Sequence, residues 1–437
     1  MNKSAWIFPK EMHAEIFQGG ELHNSSLLTL LAGDDIVQEH GLSLDELEND
    51  ATLYSDHQLK IILPMPQGSW FLLTSKDAHI WFDLFYHCLR LMQKRPDSRL
   101  VTGCDWDEYN VGNYFGQDLI KIILDGFREH NIPLWRLSWL YCNPMIPDWI
   151  AERLTEDDAS PHTVYHSFYL QRLHALNDRY KPFINKDNRK THWFLSLNRR
   201  ATTHRVNLAF WWFKNGRRPA HISCRLTKGD CNDVSLERSY QGLDGYNLLR
   251  EFNEESDPRE EPLYDQFYDS LPWSIDHESR PNSSLWVGFQ DSLPRPIVHA
   301  SACYIATETH FPMPGKNRPI THAYDGWISE KTLKSFFYGL PTIWVAPPGI
   351  TESIKKLGFL SYEGLINENY DRELDGRKRM QMIFAEMDRI QKIEDINSWY
   401  HTGIEIYEYN RARLEDLFYQ RVVDIVDEFH NTMIEYA

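Results

Sequence analysis

The chain has 437 residues, which is too long for one hydrophobic core and favours two domains of roughly 200 residues each. Its composition, 42% hydrophobic and 25% charged residues, is that of an ordinary globular protein. The formal net charge of −17 argues against a protein whose whole surface binds nucleic acid.

The start of the chain does not have the pattern of a signal peptide, because Met1–His13 contains no long apolar run. No window reaches about 18 uncharged apolar residues free of proline and glycine, so we expect no membrane span. The six cysteines are scattered, without a C-x-x-C pair, which predicts free thiols in a reducing compartment. These features predict a cytoplasmic protein.

Residues 1–188 are predicted to form an N-terminal α/β domain. Strands are expected at residues 4–8, 59–63, 70–73, 99–102 and 135–141, and helices at 78–92 and 118–130. The apolar residues of both helices recur every three or four positions, as on a buried helix face. Strands and helices that alternate in this way indicate a parallel sheet. The domain boundary is placed in the polar stretch Tyr180–Arg189.

Residues 189–437 are predicted to form a second α/β domain. Strands are expected at residues 193–197, 221–224, 296–306 and 342–346, and helices at 203–216, 329–339, 350–357, 377–393 and 404–429. Glycine or proline follows several of these helices, as expected of helix ends. The last two helices are predicted to pack back across the molecule.

Charge is unevenly distributed in this second domain. Arg189–Lys228 holds ten lysines and arginines and no acidic residue, which suggests an anionic ligand. Asp230–Glu278 then holds fourteen acidic residues against three arginines. We interpret residues 230–290 as an acidic insertion made of helices or loops. A solvated charged face is the ordinary alternative for either run.

Polar side chains follow three predicted strands of the second domain. They are Asn198, Arg199, Arg200 and Arg205 after the first strand, Glu308 after the strand at 296–306, and Ser329, Glu330, Lys331 and Lys334 at a helix start. Guanidinium and ammonium groups beside a helix N-terminus suit a diphosphate, and a carboxylate among them suits the hydroxyls of a ribose or sugar. A nucleotide-sugar needs both, whereas surface ion pairs between loops are the ordinary alternative.

Several well-known motifs are missing. The sequence contains no G-x-x-x-x-G-K-[ST] motif and no G-x-G-x-x-G after a strand, which argues against P-loop chemistry and a dinucleotide oxidoreductase. It also contains no G-x-S-x-G elbow.

Asp105-Trp106-Asp107 is a D-x-D pattern, by which one class of glycosyltransferases holds a divalent metal on a nucleotide diphosphate. This segment has three possible roles: a metal site, a loop cap, or a general base supplied by Asp105, Asp107 or Glu108. His79 is a further candidate base, although a lone histidine at a helix start is more often a cap or a packed side chain.

Two segments, Trp193–Gly216 and Cys303–Gly349, resemble GT-B-type glycosyltransferases. The similarity is to the fucosyltransferase-like group and to related glycosyltransferase-like proteins of bacteriophages and large viruses. The resemblance implies two Rossmann-like domains that face each other across a cleft, with the nucleotide in the C-terminal one and the acceptor on the side of residues 1–188. It also implies that Arg200, Glu330 and Lys331 hold the donor and that Glu308 lies near the sugar.

The expected reaction is transfer of a sugar from a UDP- or GDP-linked donor to a hydroxyl group. Lys331 and Arg200, with Arg199 or Arg205, would neutralise the leaving diphosphate, so that no metal is required. The acceptor is a glycan or lipopolysaccharide, or a hydroxymethylated base of phage DNA, in which case the protein acts in the host cytoplasm. The alternatives are a metal-dependent D-x-D glycosyltransferase, or a nucleic-acid-binding or structural protein on a degenerate glycosyltransferase scaffold.

Overall fold

The computed structural model of the chain describes residues 3–7, 43–50, 53, 57–64, 76–104, 119–167, 189–198, 202–224, 261–271, 273, 295–308, 311–312, 326–420 and 422–435. The chain divides into two compact units, the first comprising Met1–Gln171, Thr321–Tyr324 and Tyr419–Ala437, and the second Arg172–Ile320 and Asp325–Phe418. Each unit contains one parallel sheet with helices, so the predicted α/β class is confirmed.

Strands and helices alternate along most of the described residues. The strands are β1 (Lys3–Ile7), β2 (His57–Pro64), β3 (Arg99–Cys104), β4 (Leu137–Tyr141), β5 (His162–Tyr165), β6 (His192–Ser196), β7 (Ala220–Ile222), β8 (Ser301–Thr307) and β9 (Thr342–Val345). The α-helices are α1 (Leu44–Asn49), α2 (Lys76–Lys94), α3 (Leu119–Glu129), α4 (Ile146–Ala151), α5 (Thr203–Asn215), α6 (Glu261–Ser270), α7 (Arg295–Ala300), α8 (Glu330–Tyr338), α9 (Ile350–Lys356), α10 (Gly376–Gln391), α11 (Ile396–His401), α12 (Ile404–Tyr419) and α13 (Val422–Glu435). Short 3₁₀ helices span Leu134–Arg136 and Glu368–Arg372.

The sheet of the first unit has the order β1-β2-β3-β4-β5, and every neighbouring pair is parallel. The predicted strands that correspond to β1–β4 and the helices that correspond to α2 and α3 are confirmed. The strand predicted to begin at Trp135 begins instead at Leu137, because a 3₁₀ turn follows Pro133. β5 is missing from the prediction; only its last two residues are buried, so it lacks the continuous apolar run that marks β9. The strand predicted at 70–73 lies outside the described residues.

One face of this sheet has a group of polar side chains that meets the C-terminal helix. Lys60 pairs with Arg99, and Ser138 pairs with His162, so these side chains point to the same side of neighbouring strands. The helix α13 meets them with His430, whose Nδ1 lies 3.0 Å from Lys60 Nζ and whose Nε2 lies 3.0 Å from Ser138 Oγ. α13 therefore covers these polar side chains through hydrogen bonds as well as packing.

Acidic pH is expected to loosen this unit through His430. Burial, followed by the charges of Lys60 and Arg99 and the proximity of His162, lowers the pKa of His430 to about 2. The unfolded chain protonates this histidine below about pH 6.5 and the folded chain does not, so stability is full above that pH and falls as the pH decreases. At pH 5 the loss from His430 is about 2 kcal/mol.

Urea unfolding at pH 7.5 and pH 5 checks this expectation with a matched variant. In His430→Gln the amide can still accept from Lys60 and donate to Ser138, but it does not titrate. Its unfolding free energy should therefore fall by about 2 kcal/mol less than that of the parent between the two pH values. An equal loss in both proteins would rule out His430 as the source.

The sheet of the second unit has the order β7-β6-β8-β9, again all parallel. From β6 the chain goes first to β7 on one side and later to β8 on the other. The sheet therefore has a topological switch point between β6 and β8, the place where open α/β sheets bind ligands. The strands predicted at 193–197 and 342–346 are confirmed as β6 and β9.

Helix ends in the second unit follow the local signals of the sequence. α5 ends at Gly216, and α8 ends at Gly339, which has a left-handed φ of 63°. The expectation of one strand over 296–306 is wrong in its first half, because residues 295–300 form α7 and β8 begins only at Ser301. Within the predicted acidic insertion, the part that the structure describes as regular is the helix α6.

Among the helices of the described residues, none is both long and apolar enough to cross a membrane.

Candidate functional site

The candidate site lies at the switch point of the second sheet. Asn198 follows β6 and Glu308 follows β8, so both are at the carboxyl ends of the two strands between which the order reverses. Thr307 Oγ1 donates a 2.6 Å hydrogen bond to Asn198 Oδ1, and Asn198 N donates to Ser223 Oγ at 2.8 Å. Asn198 is buried and ties the ends of neighbouring strands together.

Glu308 attaches the N-terminus of α8 to the end of β8. Its carboxylate is fully buried and accepts hydrogen bonds from Ser329 N (3.2 Å), Ser329 Oγ (2.5 Å) and Thr332 Oγ1 (2.7 Å). A carboxylate at this position satisfies a helix donor that would otherwise be unpaired and complements the helix dipole. The described contacts of Glu308 thus give it a positioning role at the start of α8.

The Ser329 cap and Lys331 complete the first turn of α8. Ser329 Oγ accepts from Lys331 N at 3.2 Å, as predicted for a capping serine. The ammonium of Lys331 donates to Glu330 Oε1 at 2.8 Å and lies 4.0 Å from Glu308 Oε2. Because the Lys331 side chain keeps 19% of its surface exposed, a ligand at the strand ends can reach its charge.

Glu330 is an ionised carboxylate with one unused oxygen. Burial raises its pKa, but the charges of Lys331 and Lys334 and hydrogen bonds from Lys331 and Ser329 outweigh burial, so the pKa lies below its usual value. Its Oε2 atom is buried and has no hydrogen-bond partner among the described residues. Such an acceptor is costly unless a donor reaches it, and a ligand hydroxyl would be a suitable donor.

Arg205, at the start of α5, binds the backbone of the β8 end. Its Nη2 donates to the carbonyl oxygens of Thr307 (2.9 Å) and Glu308 (3.1 Å), and the side chain is buried. His204 Nε2 lies 2.8 Å from the same Glu308 carbonyl oxygen. In the structure the guanidinium of Arg205 therefore binds backbone carbonyl oxygens at the end of β8, including that of Glu308.

Five predicted site residues lie outside the described part of the chain. They are Arg199 and Arg200, which follow Asn198 in the sequence, and Asp105, Asp107 and Glu108, which follow Cys104. His79 belongs to α2, but its side chain is not among those described. Lys334 lies in α8 one turn after Glu330, where its charge helps to lower the pKa of that carboxyl.

One group of side chains in the first unit has potential metal-ligand geometry. The ligand atoms of Asp45, Glu48 and His87 all lie within 4.8 Å of one another. His87 Nε2 is 2.8 Å from Glu48 Oε2 and 3.4 Å from Asp45 Oδ1, and the other oxygen of Glu48 binds the ammonium of Lys94. The lysine supplies the positive charge that a cation would, so the group is satisfied as an ion-pair network.

Sequence reasoning missed a buried ion pair that fixes the end of β9. Arg379 of α10 donates to the carbonyl oxygens of Ala346 (2.8 Å) and Pro347 (3.1 Å) and to Asp371 Oδ1 (2.7 Å). The other carboxylate oxygen of Asp371 accepts from Thr351 N at 2.9 Å, at the start of α9. No local signal marks Arg379, since its partners come from two other segments, the end of β9 and the 3₁₀ helix at residues 368–372.

Comparison with known proteins finds no family model and no curated protein that matches the chain. The resemblance to GT-B-type glycosyltransferases thus rests on the residues quoted above and stays a prediction. What the described site offers chemically is an accessible ammonium, an ionised carboxylate with an unused oxygen, and a rigid support for both.

Proposed function

We propose that the chain is a glycosyltransferase that moves a sugar from a nucleotide-sugar donor to a hydroxyl acceptor. The observation that carries the proposal is the meeting of Glu308, Ser329, Glu330 and Lys331 at the switch point of a parallel sheet. Nucleotides bind at this position in sheets of this class. The unused oxygen of Glu330 and the exposed ammonium of Lys331 suit a hydroxyl and a diphosphate, the two halves of such a donor.

In the proposed mechanism, Lys331 offsets negative charge that develops on the leaving diphosphate. Glu330 Oε2 accepts a hydrogen bond from a hydroxyl of the ribose or the sugar. Arg199 and Arg200, which follow Asn198 in the sequence, add positive charge. Glu308 holds the start of α8 so that Lys331 and Glu330 keep their positions, and one of the acids after β3 takes the proton of the acceptor hydroxyl.

The GT-B arrangement, two Rossmann-like domains across a cleft with a boundary near residue 188, belongs to the same proposal. Two parallel α/β sheets within one chain support it. We place the enzyme in the cytoplasm, and its acceptor is a glycan, a lipopolysaccharide or a modified base of phage DNA. A metal held by Asp105 and Asp107 is the alternative route to charge neutralisation.

A second candidate is a nucleic-acid-binding or structural protein that keeps the scaffold without catalysis. The observation that favours it is that two groups expected to bind an anion, the N-terminus of α8 and the guanidinium of Arg205, are already hydrogen-bonded to other groups of the protein. The carboxylate of Glu308 occupies the N-terminus of α8, and Arg205 donates to backbone carbonyl oxygens. Duplex DNA binding with a steep salt dependence, as counterion release requires, would support this candidate.

A thermal-shift screen with UDP- and GDP-linked sugars tests the enzyme proposal. A donor present at 100 times its dissociation constant should stabilise the folded protein by about 2.7 kcal/mol. The free nucleosides serve as controls, since they lack the diphosphate that Lys331 is expected to bind. Failure of every activated sugar to raise the melting temperature, alongside tight DNA binding, would favour the second candidate.

A further inference from the structure

A hollow of about 340 Å³ lies in the second unit on residues that the candidate functional site does not use. It is lined by Thr351 and Lys355 of α9, the segment 363–369, Arg372, and Arg389 of α10. Its volume is at the lower end of the range for small-ligand sites.

Positive charge in the hollow is only partly neutralised by the protein. Arg389 forms two hydrogen bonds with Glu386, at 2.8 and 2.6 Å, so its charge is compensated. Lys355 lies 4.0 Å from Glu363, and both side chains are more than half exposed, which makes that pair weak. Within the described part of the chain, Arg372 forms no ion pair.

Glu368 adds a group that can donate as well as accept. Tyr362 N donates to its Oε1 at 2.9 Å. The pKa of Glu368 is raised to about 7, chiefly by burial and also by the charge of Asp371, which together outweigh the lowering by the Tyr362 and Ser361 hydrogen bonds and by Lys355. Near neutral pH this carboxyl is therefore divided between its two forms, and the protonated form can donate to an anion.

We propose that this hollow binds a small oxyanion, the phosphate, sulfate or carboxylate group of a metabolite, through Arg372 and Lys355, with Glu368 as a hydrogen-bond donor. A guanidinium and an ammonium together match the oxygens of such a group. Because the bound anion favours the protonated form of Glu368, binding takes up a proton near neutral pH. If only that form binds, affinity falls about tenfold between pH 6 and pH 8.

Calorimetric titration with sulfate, whose charge is constant between pH 6 and pH 8, tests the proposal. The titrations use the full-length Lys331→Ala protein, so that sulfate at the proposed donor site does not contribute. We expect one sulfate per chain and at least tenfold weaker binding after the further change Arg372→Ala. Lys378→Ala, which removes an equal charge from an exposed position outside the hollow, should leave the affinity unchanged.

The variant Glu368→Gln keeps a hydrogen-bond donor at this position but cannot titrate, so it separates the two roles of Glu368. This variant should bind sulfate at pH 6 as the Lys331→Ala parent does, but without the fall in affinity at pH 8. Inorganic phosphate and glucose 6-phosphate, compared at pH 7, distinguish the sources: tighter binding of the ester identifies a metabolite, and equal binding identifies the inorganic ion.

Two results would overturn the proposal: no sulfate binding by the Lys331→Ala protein, or binding that Arg372→Ala leaves unchanged. If the sulfate affinity of Glu368→Gln still fell tenfold between pH 6 and pH 8, Glu368 would not be a ligand of the anion. These outcomes are independent of whether the chain transfers sugars, because Arg372 and Glu368 belong to a different part of the second unit from Lys331.

Discussion

Replacing Lys331 by alanine is expected to lower the rate of sugar transfer by about 100- to 1,000-fold while the protein stays folded. Its ammonium is the exposed positive charge at the switch point among the described residues, and the proposed reaction builds charge on a leaving diphosphate there. Glu330 loses its nearest counter-ion, so the melting temperature should fall, but Lys334 still lowers the pKa of that carboxyl. The fold should survive, because alanine favours a helix and the Ser329 cap uses the backbone N–H of residue 331. Release of nucleoside diphosphate from the donor found by thermal shift gives the rate.

Two further variants test whether the effect of Lys331→Ala comes from the loss of charge at the site or from the lower net charge of the protein. Lys331→Arg keeps a cation and should retain more activity than Lys331→Ala, although its fork differs in shape from an ammonium. Lys378→Ala removes an exposed lysine of α10 and should match the parent in rate. Full activity of Lys331→Ala would show that the diphosphate binds elsewhere.

Short-range signals explain why much of the site could be predicted from sequence. Ser329 and Gly339 bound α8 because each acts on backbone groups within a few residues of itself. The apolar run at 342–345 predicts a buried parallel strand because all its side chains lie in the core. Ser329, Glu330 and Lys331 are consecutive, so their proximity follows from the helix start alone.

Long-range partners explain what could not be predicted. The donors to Glu308 are 21 and 24 positions away, and His430 lies 370 positions from Lys60. Periodicity indicates that a side chain is buried, but it does not identify the group that meets it. The sequence likewise predicts Arg205 as a phosphate ligand because it does not show the partner of the guanidinium. In the structure Arg205 donates to carbonyl oxygens at the end of β8.

Replacing Asp427 by alanine is expected to destabilise the first unit by about 3–5 kcal/mol, because it leaves a buried charge without its counter-ion. Lys60 is fully buried in β2, and its Nζ lies 2.9 Å from Asp427 Oδ1 in α13. Burial lowers the pKa of Lys60, and Asp427 partly opposes that shift. Urea unfolding at pH 7.5, with hydrogen exchange of residues 422–435, measures both the total loss and the release of α13.

The double variant Lys60→Met with Asp427→Ala is the matched control, since it removes both charges together. An apolar side chain of similar length can fill the space of Lys60, so the double variant should recover most of the stability that Asp427→Ala loses. Loss of the same size in both proteins would mean that Asp427 acts through something other than the lysine. Recovery would show that α13 is held by a specific pairing, which explains how a sheet can carry Lys60 on a buried face.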